Sequence, residues 1–242
     1  VGIYTDLGLL LNAVPSSTYT LVCKELSVFY DLIAFGISFM LIQSYYFYLT
    51  RRTRRAPQSS VHTLNANTRE RWVKMIMSGE KLDILAIQTV RNSVMAANFM
   101  ATTAVLLIIG VLNLGEKIGQ WAEKLHPFCA VCNPASELWM LKLVALLFSF
   151  ALAFYYFAMA IRFFNHVGYL INLPCDFSHD DEPYRQTCAY LNKAGHYYTF
   201  GTRTFFFSLP LIAWFLGSCA LILATLGLLL GLIALDSVPS AD

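Results

Sequence analysis

The sequence predicts an all-α, polytopic membrane protein: four transmembrane helices with a short interfacial amphipathic helix on the cytoplasmic side. Three observations predict it. Apolar runs over 27–49, 93–114, 138–161 and 205–235 each reach the length of about 20 residues that a helix needs to cross a bilayer core. The runs are continuous, whereas the strands of a membrane barrel would alternate. Only 13% of the residues are charged, against about 25% in ordinary soluble domains. Backbone amides in lipid must bond within their own segment, so such runs have to be helices.

The domain organisation follows in chain order. Residues 1–26 form an outer N-terminal arm, 27–236 a single transmembrane domain, and 237–242 an outer C-terminal tail. The arm contains the short apolar run Leu7 to Leu11, which cannot span. It reads as an ordered segment packed on neighbouring protein, or as a piece lying on the membrane surface. The chain starts at Val1, so it is either processed or incomplete.

The first span covers about 27–49 and is followed by Arg51, Arg52, Arg54 and Arg55. Cations continue at Arg69, Arg71, Lys74, Lys81 and Arg91, and the connection after the third span adds Arg162, Arg185, Lys193 and Arg203. The other side holds Lys24, Lys117, Lys124 and Lys142. Cationic connections stay cytoplasmic. This asymmetry predicts cytoplasmic hairpins, both chain ends outside, and a bacterial inner membrane as the location. A net charge of +2 does not suggest nucleic acid.

Residues 67–78 predict a short helix, with Asn67 and Glu70 as a capping box and Gly79 as its end. Trp72, Val73, Ile76 and Met77 share one face, Arg71, Lys74 and Ser78 the other, which suits the inner membrane surface.

The second span, about 84–114, carries two stripes. Ser93, Ala97, Ala101 and Ala104 form a small face, while Gln88, Arg91, Met95, Asn98 and Thr102 form a polar one. Polar residues in lipid usually face the protein interior. Asn98 and Thr102 are therefore expected to hydrogen-bond between spans, with a conduction path as the alternative.

The third span covers about 138–163 and closes with Asn165 and His166, while the fourth covers about 203–235, with Pro210 expected to kink it. Along the fourth, Ala213, Gly217, Ala220, Ala224, Gly227, Gly231 and Ala234 recur at alternating steps of four and three. That period of 3.5 is the seam of a left-handed helix pair. Small residues allow the close backbone approach on which association in lipid depends. The expected partner is another span of this chain; a dimer or a larger complex is the alternative.

Asp83, Gln88, Arg91, Asn92, Asn165, His166 and Arg203 should gather near one cytoplasmic plane. They read first as a network fixing helix ends, then as a site for lipid headgroups, then as a site for a partner or small ligand. Cys129 and Cys132, in the predicted outer loop, form a CxxC that reads as a local disulfide, with free thiols or metal binding as alternatives. No metal site and no cofactor is expected, and no catalytic motif stands in a sensible context.

The stretch Arg71 to Leu107, RWVKMIMSGEKLDILAIQTVRNSVMAANFMATTAVLL, resembles the signature region of domain-of-unknown-function family 599. Lys193 to Gly217, KAGHYYTFGTRTFFFSLPLIAWFLG, is similar to that family's second marked region, and Arg91 to Ala97 is the most specific part. The resemblance implies a multi-span membrane protein and no particular activity. The expected function is that of a non-catalytic integral membrane subunit or accessory protein in a larger complex. Its expected partners are membrane lipids and other membrane subunits, or a second copy of itself. A small transporter or channel, or a lipid-binding membrane enzyme, is the alternative.

Overall fold

The computed structural model describes residues 16–55, 61–79, 83–116, 136–175 and 182–236. These residues form helices and their connections, with no strand among them. In chain order the helices are α1 (Ser16–Arg55), α2 (Val61–Met77), α3 (Asp83–Glu116), α4 (Ser136–Leu170), α5 (Glu182–Ala213) and α6 (Ser218–Leu235). A single turn of 3₁₀-helix, Trp214–Leu216, separates the last two. Among the described residues, three segments are long and apolar enough to cross a membrane: Val28–Arg51, Ile84–Glu116 and Leu138–Leu170. The protein is thus an integral membrane protein built from helices. Ser218–Ala234 is a fourth, shorter apolar helix.

α4 is the central element, packed most extensively against α3 and α5. Val111 clusters with Leu143 and Leu146, Ala101 with Ala153 and Phe157, and Val90 with Val167. As residue numbers rise on α3 they fall on α4, so the pair is antiparallel. The small face of α3 makes this contact: Ala97 and Ala104 are fully buried and Ala101 nearly so. α5 is antiparallel to α4, and Gly201 marks their closest approach. A Cβ there would stand 2.9 Å from the Phe157 ring.

At one end of the bundle, α2 and the adjoining ends of α3, α4 and α5 form a lobe with a core of its own. Val73 and Ile76 of α2 are buried among Val90, Phe163, Phe164, Val167, Ile171, Leu191 and Ala194. The amphipathic face of α2 is therefore covered by protein rather than turned to lipid. α2 is also longer than expected. It begins at Val61, so Asn67 lies inside the helix instead of capping it. Arg69 Nε donates to Asn192 Oδ1 at 2.9 Å, and Asn192 Nδ2 donates to Glu70 Oε1 at 3.1 Å, which ties α2 to α5.

The expected fourth span over 203–235 is not one helix. Arg203 and Asp236 form an ion pair at 2.7 Å, whereas 33 further residues of straight helix would hold them about 50 Å apart. The chain leaves α5 after Ala213 and turns through Trp214–Leu216 and Gly217, whose φ is +136°. It then returns as α6. Pro210, buried inside α5, removes a backbone N–H three residues before the helix ends, where the ladder is already weak. As a result Asp236 lies at the Arg203 end of the bundle, not at the far end where an uninterrupted span would place it.

α6 packs against both α1 and α5. Asp31 meets Ser218 and Tyr45 meets Asp236. Between them Ala34 shares a cluster with Leu221, and Tyr45 another with Leu229 and Leu232. Numbers rise together on both helices, so α1 and α6 run parallel.

Candidate functional site

Two polar centres, one buried and one half-buried, close the ends of the α1–α6 contact. At the first, Lys142 Nζ of α4 stands 2.9 Å from Asp31 Oδ2 and donates to the Trp214 carbonyl oxygen at 3.1 Å. Ser218, the first residue of α6, donates its hydroxyl to Asp31 Oδ1. Lys142 is 3% exposed and Asp31 6%, so neither charge can turn to solvent. The carboxylate also sits by the N-terminus of α6, where the helix dipole favours negative charge. Lys142 lies 5.1 Å from the Trp214 ring centroid and 5.9 Å from that of Trp139. Both rings are buried, and their indole N–H groups have no hydrogen-bond partner among the described residues.

At the second centre, Arg203 Nη2 donates to both Asp236 carboxylate oxygens, at 2.7 and 2.9 Å. Tyr45 donates its phenol to the same carboxylate. This centre holds the returning end of α6 against α1 and α5 together.

Between the centres the interface is not wholly apolar. Ser38 is seven residues from Asp31 and seven from Tyr45, two turns each way, so the three share one face of α1. Thr225 is seven residues beyond Ser218 on α6. Ser38 is 3% exposed and Thr225 fully buried. Thr225 donates to the Leu221 carbonyl at 2.7 Å, while the Ser38 hydroxyl has no partner among the described residues.

The residues expected to gather at one cytoplasmic plane are spread over separate surfaces. Gln88, Arg91 and Asn92 are exposed on α3, and Asn165 and His166 are exposed near the end of α4. The His166 ring lies 5.4 Å from that of Tyr190. Arg203 belongs to the Asp236 centre instead. The side chain of Asp83 lies outside the described residues, as do Cys129 and Cys132. Asn98 and Thr102 are exposed on the outer face of α3, so they make no bonds between spans and line no interior path.

The small-residue seam is also corrected. Ala213 and Gly217 fall before α6 and take no part in its face. Ala220 and Ala224 are partly buried, while Gly227, Gly231 and Ala234 are exposed. A Cβ at Gly227 or Gly231 would meet nothing within 4 Å. α6 buries Leu221, Thr225, Leu229 and Leu232 instead, so Gly227 and Gly231 face away from the other described residues.

In the lobe, the Arg69 guanidinium lies over Gly195, where a Cβ would approach Nη1 to 2.8 Å. Burial lowers its pKa. Burial also pushes the Cys188 thiol up, partly opposed by a hydrogen bond with Tyr184. No group of three or more metal-ligating side chains occurs among the described residues.

The charge distribution sets Lys142 on the side opposite the arginine-rich connections but does not join it to Asp31. The period of seven through Asp31, Ser38 and Tyr45 was the signal that could have marked the polar face of α1.

A family described as protein of unknown function, DUF599, matches residues 33–241. No curated protein matches the chain, and no solved structure does.

Proposed function

The chain belongs to the DUF599 family, and from that premise we propose that it is a non-catalytic membrane subunit that associates with other helices through the outer face of α6. One observation carries this reading: Gly227 and Gly231 are exposed, with open space where side chains would stand. Lipid tails gain nothing from such a groove, whereas a neighbouring helix gains close backbone contact. The exposed Asn98 and Thr102 of α3 support the same reading, because polar groups facing lipid are costly without a partner. The cationic lobe lies on the cytoplasmic side of a bacterial inner membrane in this reading, by the bias of its connections. There Arg and Lys also meet lipid headgroups.

The test is the mass of the particle after extraction in mild detergent. The parent chain should run in a complex larger than its own 27.2 kDa, and Gly227→Leu with Gly231→Leu should release it while its unfolding temperature stays unchanged. A parent chain that is monodisperse at its own mass and gains no partner on cross-linking in native membranes would end this reading.

A further inference from the structure

We propose that the interface between α1 and α6 carries protons across the membrane, along a file formed by Asp31, Ser218, Ser38, Thr225, Tyr45 and Asp236. This goes beyond association through the outer face of α6 and does not depend on it.

The file is a matter of register. Asp31 contacts Ser218 at one end and Tyr45 contacts Asp236 at the other. Because the helices run parallel, Ser38 and Thr225 fall at the same intermediate level. All six groups are buried or half-buried, in an interface that joins the two polar centres. From Asp31 to Tyr45 α1 rises about 21 Å, most of the thickness of a hydrocarbon core.

A buried hydroxyl with no protein partner is costly in such a setting, and Ser38 is one. Fixing helix register does not require it, since alanine would pack in its place. The steps from Ser38 to either end span about 10 Å, more than one hydrogen bond covers, so the file requires water to bridge them. The indole N–H groups of Trp139 and Trp214 offer donors to such water beside Lys142.

The charges at the ends select the species. Lys142 and Arg203 would repel a bare metal cation, and the middle of the file holds two hydroxyls, far from the six or more oxygens that such an ion needs. Asp31 and Asp236 would repel an anion. A proton differs in that it forms a covalent O–H bond with a carboxylate, which offsets the repulsion of the neighbouring cation while that cation is briefly unpaired. It binds the carboxylate of Asp31 and then passes on. Each hydroxyl or water accepts one proton on a lone pair as it gives up its own, so none changes its net charge. Tyr45 delivers a proton to Asp236, whose carboxylic acid then releases it to the aqueous phase. Once a proton has left, each carboxylate returns to its ion pair with Lys142 or Arg203. Facing these carboxylates, the charged groups are Lys142 from α4 and Arg203 from α5, with the Tyr45 phenol from α1 and the neighbouring Tyr46 phenol, which bonds Arg203.

The full chain is reconstituted in phosphatidylcholine vesicles with an entrapped pH dye, and a potassium diffusion potential set by valinomycin drives protons inward. Vesicles with the parent protein should acidify faster than protein-free vesicles. Thr225→Val keeps the side-chain shape and removes the hydroxyl, so it should slow the flux by about tenfold or more, as should Ser38→Val. Ser38→Thr keeps a hydroxyl and should retain the flux. Unfolding temperature in detergent establishes which variants are folded. If Ser38→Val does not fold, Thr225→Val decides alone. A parent protein no faster than empty vesicles, or a folded Thr225→Val with undiminished flux, overturns the proposal. The oligomer mass of the same preparations separates this result from the fate of the association surface.

Discussion

At the Asp31 end a buried ammonium and a buried carboxylate depend on each other. Removing one partner leaves the other charge enclosed without compensation, which costs about 3–5 kcal/mol. Lys142→Ala should therefore lower stability by that amount in reversible unfolding from detergent. Lys142→Met combined with Asp31→Asn should recover most of it, since two neutral groups need no ion pair. If the double variant is as weak as the single, the pair is not the origin of the loss. Gly201 gives a second residue-level prediction, because its missing side chain is what lets α5 approach Phe157. Gly201→Leu should destabilise by about 1–3 kcal/mol through overpacking. Gly195→Ala should cost less, because the atoms that it meets belong to the end of the long Arg69 side chain rather than to a packed ring. Equal losses at the two glycines would contradict this ranking of contacts.

At the scale of elements, the turn between α5 and α6 separates what was legible from what was not. Hydropathy reads composition, and 205–235 is apolar throughout, so nothing in its average records a change of direction. Ala213 and Gly217 even continue the period of the small seam through the break, although neither lies on α6. Pro210 was read as a kink; with Gly217 four residues beyond Ala213, it stands instead beside a reversal. The backbone at Gly217 has φ +136° and ψ 168°, a region open almost only to glycine. Gly217→Ala should cost about 1–3 kcal/mol and loosen the α5–α6 hairpin, read by faster proteolysis between Ala213 and Ser218. A variant as stable and as resistant as the parent would show that the turn tolerates a side chain. The apolar face of α2 was legible as a pattern but not its partner, because Val73 and Ile76 suit a lipid surface as well as the hollow between α4 and α5.

At the scale of the whole molecule, the all-helical membrane fold was legible because span length and continuity follow from the bilayer alone. The distribution of polar groups was not. A single sequence predicts that costly polar residues turn inward. α3 instead turns Asn98 and Thr102 outward, while α1 and α6 enclose Asp31, Ser38, Thr225 and Tyr45. Which face is inside depends on the packing of all the helices, and above all on the reversal that lays α6 along α1. Spin labels at Thr199 and Ile233, both exposed, test that reversal most directly by pulsed dipolar distance measurement in vesicles. A returning α6 predicts a separation of roughly 15–20 Å, from helix rise and interaxial spacing. A distribution centred near the about 50 Å of one uninterrupted helix would contradict the hairpin and the interface built on it.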